Sequence, residues 1–153
     1  MKINGYEIKP GANLEGAYLR DANLWSANLE GADLLNAYLL GADLRDTNLV
    51  GANLVGANLV GVYLRDANLE GANLEGANLV GANLVNANLV CANLANANLR
   101  GADLRGACLA NADVTGTILE KKKKSQDDKD LKIKELEEEL KKYKDTLKAL
   151  LDT

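Results

Sequence analysis

Small and large apolar residues alternate with polar ones in a strict five-residue frame from Gly11 to about Glu120. Leucine stands at Leu14, Leu19, Leu24 and every fifth position to Leu119, which makes 22 units, with Val114 the single replacement at a centre. Two residues before each centre is alanine, replaced only by Thr47, Val62 and Thr117. A period of five suits neither an amphipathic helix nor a simple strand, but it suits a solenoid built from short extended sides joined by tight turns. Along one side, residues two apart point the same way. One large and one small side chain per unit therefore fill a narrow interior, and Leu14, Leu34, Leu54, Leu64, Leu74 and Leu94 belong to the core ladder.

Two residues after most centres comes glycine, as at Gly16, Gly31 and Gly51, and elsewhere mostly Asn or Asp, as at Asn36 and Asp21. The third residue of a type II turn has positive φ, which glycine adopts freely and Asn or Asp tolerate. The uneven use of glycine predicts a mixture of turn types.

The phrases GANLE, GADLL and GANLV match A(D/N)LXX, and on these residues the stretch 11–120 resembles the pentapeptide-repeat family. The resemblance implies an all-β solenoid, a right-handed quadrilateral β-helix with four pentapeptides in each twenty-residue coil. The units then make about 5.5 coils stacked about 4.8 Å apart. Residues 1–10 are expected to form an N-terminal cap segment.

At Lys121 the pattern changes. Residues 121–130, four lysines followed by Ser-Gln-Asp-Asp-Lys-Asp, read as a polar linker. Residues 131–151 read as an amphipathic helix, with Ile133, Leu136, Leu140, Tyr143, Leu147 and Leu150 spaced by three and four as in a coiled-coil seam. Asp128 or Asp130 is the expected N-cap. In a parallel pair Lys132 would face Glu137 of the second chain, and Glu139 would face Lys144. A homodimer through this helix, a helix docked on the solenoid and a mobile tail all remain open.

Sorting units by fours assigns the outward residues to walls. One wall collects Trp25, Arg45, Arg65, Val85 and Arg105, with Asp43, Asp46, Asp66 and Asp103 beside them, and reads as a ladder of surface ion pairs. Leu35 and Val55 on one wall, with Tyr38, Leu40, Val60 and Val80 on its neighbour, form a candidate interaction patch. Asn28, Asn48, Asn68 and Asn88 form a stacked amide row. Cys91 and Cys108 face outward and out of vertical alignment, so two free thiols are expected.

Chemistry is sparse. The chain has no histidine, no nucleophile beside a base and no glycine-rich phosphate loop opening a helix. No enzyme activity, catalytic residue, metal or cofactor is expected. Residues 1–119 carry seven basic and twelve acidic side chains, and residues 120–153 eleven and ten, so a mild negative charge belongs to the solenoid. No stretch reaches transmembrane length or resembles a leader, which gives a cytoplasmic expectation without membrane or direct nucleic-acid binding. The leading expectation is a non-catalytic interaction or scaffold protein with an unknown protein partner. The alternative comes from the resemblance: some members of the family inhibit type II DNA topoisomerases, such as DNA gyrase, by imitating duplex DNA, and protect against quinolones. A carbohydrate or small-ligand binder rests only on Trp25, Tyr18, Tyr38 and Tyr63.

Overall fold

The computed structural model describes residues 1–151. Within the C-terminal helix the side chains of 121–124, 126–127, 143, 145–147 and 149–151 lie outside the described residues. The chain divides into two compact units, Met1–Ile118 and Leu119–Thr153.

In the first unit every pentapeptide contributes one parallel bridge to the residue twenty positions on: Asn13 to Asp33, Tyr18 to Tyr38, Asn23 to Asp43, Asn28 to Asn48, and onward to Asn93 with Asp113. Four bridges per twenty residues define four walls, named here after Leu14, Leu19, Leu24 and Leu29. Each coil is bonded to the next through its backbone. The Leu14 N–H donates to the Asp33 carbonyl at 2.6 Å, and the Asp33 N–H donates back to the Ala12 carbonyl at 2.9 Å. Inside, the leucines from Leu14 to Leu99 are at most 1% exposed, and nearly every alanine beside them is buried. Thr47, one of the alanine replacements, is buried as well, and its hydroxyl donates to the Leu24 carbonyl at 2.9 Å. A buried hydroxyl is tolerated only with such a partner.

The corners are uniform. The Leu14 carbonyl accepts from the Ala17 N–H at 3.0 Å, and Gly16 between them has φ of +60°. The same left-handed conformation recurs at Asp21 (+53°), Ser26 (+53°), Cys91 (+56°) and Asn111 (+57°). The expected mixture of turn types is therefore wrong. A four-sided coil whose walls must stack in register needs the same corner four times per coil, so the backbone demand overrides side-chain preference.

The two ends of this unit differ. At the N-terminus, β1 (Lys2–Ile3) and β2 (Tyr6–Glu7) form a hairpin through Asn4 (φ +52°) and Gly5 (φ +86°), a type I′ turn. Ile8 behind it is only 5% exposed, and the Tyr6 hydroxyl accepts from the Tyr18 N–H at 3.3 Å. Leu14, Leu19, Leu24 and Leu29 of the first coil are accordingly buried. In the last coil the inward residues Leu104, Ala107, Leu109, Ala112 and Val114 are partly exposed.

The second unit is a continuous helix, α1 (Ile118–Leu151), of 34 residues. It corrects the expected boundaries: 121–130 is helical rather than a linker, and Asp128 and Asp130 lie inside the helix rather than capping it. No glycine or proline interrupts 118–151 and its lysines and glutamates are good helix formers, so charge alone does not break it. Thr117, a favoured N-cap type, precedes it; Glu120 in the first turn and Lys148 in the last complement the helix dipole. Leu119, the expected last centre, is helical, which leaves the repeat centres running from Leu14 to Val114.

Candidate interaction surfaces

On the Leu24 wall, bridging places the columns of Trp25, Arg45 and Arg65 and of Asp43, Tyr63 and Asp103 side by side. Arg45 grips Asp43 through Nε at 2.8 Å and through its terminal nitrogen at 2.6 Å. Arg65 pairs with Asp66 at 3.0 Å, and Arg105 with Asp103 at 2.7 Å. The Trp25 indole N–H donates to Asp46 at 2.9 Å. Together Trp25, Arg45, Asp46, Arg65 and Asp66 line a shallow cleft of about 400 Å³. The Arg45 hydrogen bonds hold the Asp43 carboxyl below its ordinary range, and Arg105 does the same to Asp103. These arginines are thus neutralised within their own wall, which makes it an ion-pair ladder rather than a cationic strip.

The apolar patch straddles the Leu14 and Leu19 walls. Leu35, Leu40, Val55, Val60 and Val80 are each partly buried, while Tyr38 is 46% exposed. Tyr38 lies on Tyr18, with centroids 4.9 Å apart and planes 6° from parallel. This pair was not read from the sequence, although its twenty-residue separation is the signal that finds it. Tyr18, Trp25, Tyr38 and Tyr63, all more than two-fifths exposed, cluster in the N-terminal half of the repeat.

The asparagine rows serve the scaffold. Asn88 Nδ2 donates to Asn68 Oδ1 at 3.0 Å and Asn88 Oδ1 accepts from the Val90 N–H at 3.1 Å, and Asn48 makes the same two bonds to Asn28 and from Val50, so these amides tie both a neighbouring coil and their own turn. Cys91 and Cys108 are free and exposed.

On α1, Leu131, Ile133, Leu136 and Leu140 are 52% to 60% exposed. Tyr143, Leu147 and Leu150, expected to continue the seam of Ile133, Leu136 and Leu140, have side chains outside the described residues. Lys132, expected to reach across a pair, bonds Glu135 on its own helix at 3.1 Å. Among the described residues no cluster of His, Cys, Asp or Glu could hold a metal ion, and no helix is long and apolar enough to cross a membrane.

Walls bonded coil to coil around a leucine core define a β-helical solenoid. The family model for pentapeptide repeats matches eight copies, over residues 10–34, 31–66, 57–90 and 82–120. The chain belongs to the pentapeptide-repeat family, whose members are right-handed quadrilateral β-helices. Among solved structures it is similar to trypsin-treated QnrB1, a plasmid-mediated fluoroquinolone resistance protein, with 29% identity and a TM-score of 0.66 over 71% of this chain. It spans about half, 53%, of that protein. It is also similar to alr5209, a pentapeptide repeat protein from Nostoc PCC 7120, with 39% identity and a TM-score of 0.52, covering 56% of this chain and 72% of that one. No curated protein matches it.

Proposed function

We propose that this chain is a non-catalytic scaffold whose β-helical unit offers its walls to a protein partner and whose helix α1 joins two copies. The observation that carries self-association is the seam of Ile133, Leu136 and Leu140, each more than half exposed along one face of the helix. A helix of this composition gains most of its stability from burying such a stripe, and a parallel pair about the seam buries it with matched charges at Lys132 and Glu137. Sedimentation of the full chain beside the double variant Leu136→Lys, Leu140→Lys tests this. The expected result is a dimer that the variant converts to a monomer. A helix docked on the solenoid of its own chain instead gives a monomer in both samples.

A second reading, a DNA-mimic inhibitor of DNA gyrase, is favoured by the likeness to QnrB1, a fluoroquinolone resistance protein. Against it, Val55, Val60, Val80 and Val90 occupy outward positions where a duplex mimic needs carboxylates. A supercoiling assay with purified gyrase separates the two, since inhibition at submicromolar protein favours the second reading.

A further inference from the structure

We propose that the Trp25 cleft on the Leu24 wall binds a neutral glycan, a linear chain of pyranose rings lying along the wall; this goes beyond the reading above and does not rest on it.

The solenoid asks little of its outward positions. The core needs leucine and alanine, the corners need a residue that tolerates positive φ, and asparagine before a centre suffices to tie the turn. On the other walls the outward residue after the centre is mostly Glu, Val, Leu or Ala. The Leu24 wall departs from this in its first three coils. It carries the chain's one tryptophan at Trp25, Arg45 and Arg65 in the next two coils, Tyr63 beside them, and Asp46 and Asp66 at the corner. One coil further the wall returns to Asn83, Val85 and Asn86. The departures coincide with the cleft of about 400 Å³.

The chemistry of this cleft fits a hydroxyl-rich ring. A pyranose offers C–H groups on its faces and hydroxyls around its rim. Trp25 is 59% exposed, and its indole N–H is fixed on Asp46 at 2.9 Å, so the ring is held at its edge while its apolar body stays open to a sugar face. Rim hydroxyls need acceptors and donors together. Among the described residues, Asp46 Oδ1 makes no bond within the chain, and neither do one terminal nitrogen of Arg45 and both terminal nitrogens of Arg65. These groups are already placed. Asp43 holds Arg45 at 2.6 Å, Asp66 holds Arg65 at 3.0 Å, and Asn86 Nδ2 braces Asp66 at 3.1 Å. A ligand that meets pre-set groups is spared most of the cost of ordering them.

Charge and length narrow the class. Arg45 and Arg65 stand against Asp43, Asp46 and Asp66, two positive charges to three negative, so a phosphate or uronate meets net repulsion while neutral hydroxyls bond either kind of group. Coils stack about 4.8 Å apart, close to the length of one pyranose in a linear chain, so Trp25, Arg45 and Arg65 can each serve a successive ring. Trp25 also borders a second depression of about 290 Å³, lined in part by Ile8, Pro10 and Asn28, where the chain enters the first coil. There the Asn28 N–H and carbonyl have no preceding coil to bond, unlike those of Asn48, and no partner among the described residues. The two depressions make one track longer than a single sugar, with Trp25 in common.

Trp25 is the only tryptophan, so its fluorescence reports on this cleft in the full chain. Titration with cellohexaose, laminarihexaose and maltohexaose, three neutral hexasaccharides of different linkage, is expected to change that emission saturably for at least one of them. Trigalacturonic acid, an anionic glycan, is expected to leave it unchanged. Calorimetry with the responding hexasaccharide then compares variants at exposed positions, each checked for an unchanged melting curve. Trp25→Ala and Arg65→Ala should each weaken binding about tenfold, Trp25→Tyr should restore part of the loss, and Arg105→Ala, on the same wall outside the cleft, should bind like the natural chain. Emission that responds to none of the neutral hexasaccharides at millimolar concentration overturns the glycan site. So does full affinity in Trp25→Ala, or a preference for the galacturonide. Each of these outcomes leaves the sedimentation test of α1 pairing untouched.

Discussion

Gly41 and Gly61 occupy the same corner of successive coils with φ of +67° and +62°, yet they differ in what lies beneath them. A Cβ on Gly61 meets nothing within 4 Å, whereas one on Gly41 falls on Asp21 Oδ1. Gly61→Ala should cost about 1–2 kcal/mol for its left-handed backbone alone, and Gly41→Ala more. In an Asp21→Gly background the difference should vanish; urea denaturation of the four variants measures it. Asp43 supplies a pH dependence. Its carboxyl is shifted downward by Arg45, so the stabilisation is fully present above the ordinary aspartate range and is lost as pH falls through the lowered value. The melting temperatures of the natural chain and Asp43→Asn should accordingly differ at neutral pH and converge in acid.

At the scale of elements, the central coils carry most of the stability. Leu64 is 1% exposed and sits on the Leu24 wall in the third coil, while Leu104 on the same wall is partly exposed. Leu64→Ala should cost about 2–5 kcal/mol and Leu104→Ala distinctly less, measured by thermal melting. Ser125 lies within the segment whose charges suggested a linker, and Ser125→Pro should lower the helical far-UV signal by breaking α1, at a cost of about 3 kcal/mol. The repeat was legible because Leu and Ala report directly on an interior that admits nothing else. Corner uniformity was not, because Ser26 and Cys91 adopt a conformation their own preferences disfavour, imposed by coils above and below. The polar start of α1 was obscured because solvated lysines look alike in a linker and on an exposed helix. The ion-pair ladder followed from the four-unit sorting, but the stacking of Tyr18 on Tyr38 and the Asp43 grip on Arg45 needed the geometry.

For the whole molecule, the proposed pairing makes stability a function of concentration. Mass action predicts a melting temperature that rises with protein concentration for the natural chain and stays flat for the Leu136→Lys, Leu140→Lys variant if α1 holds the pair. The twenty-residue register has a further consequence, for how such a chain can grow. Duplicating a whole coil lengthens the solenoid and returns every later residue to its original wall, so Cys108 and the departure point of the chain keep their orientation. Duplicating a single pentapeptide turns everything after it by a quarter revolution relative to Trp25 and its neighbours. Surface patterns in this family can thus be rotated without touching the core, and gain of five residues is a change of direction while gain of twenty is only a change of height.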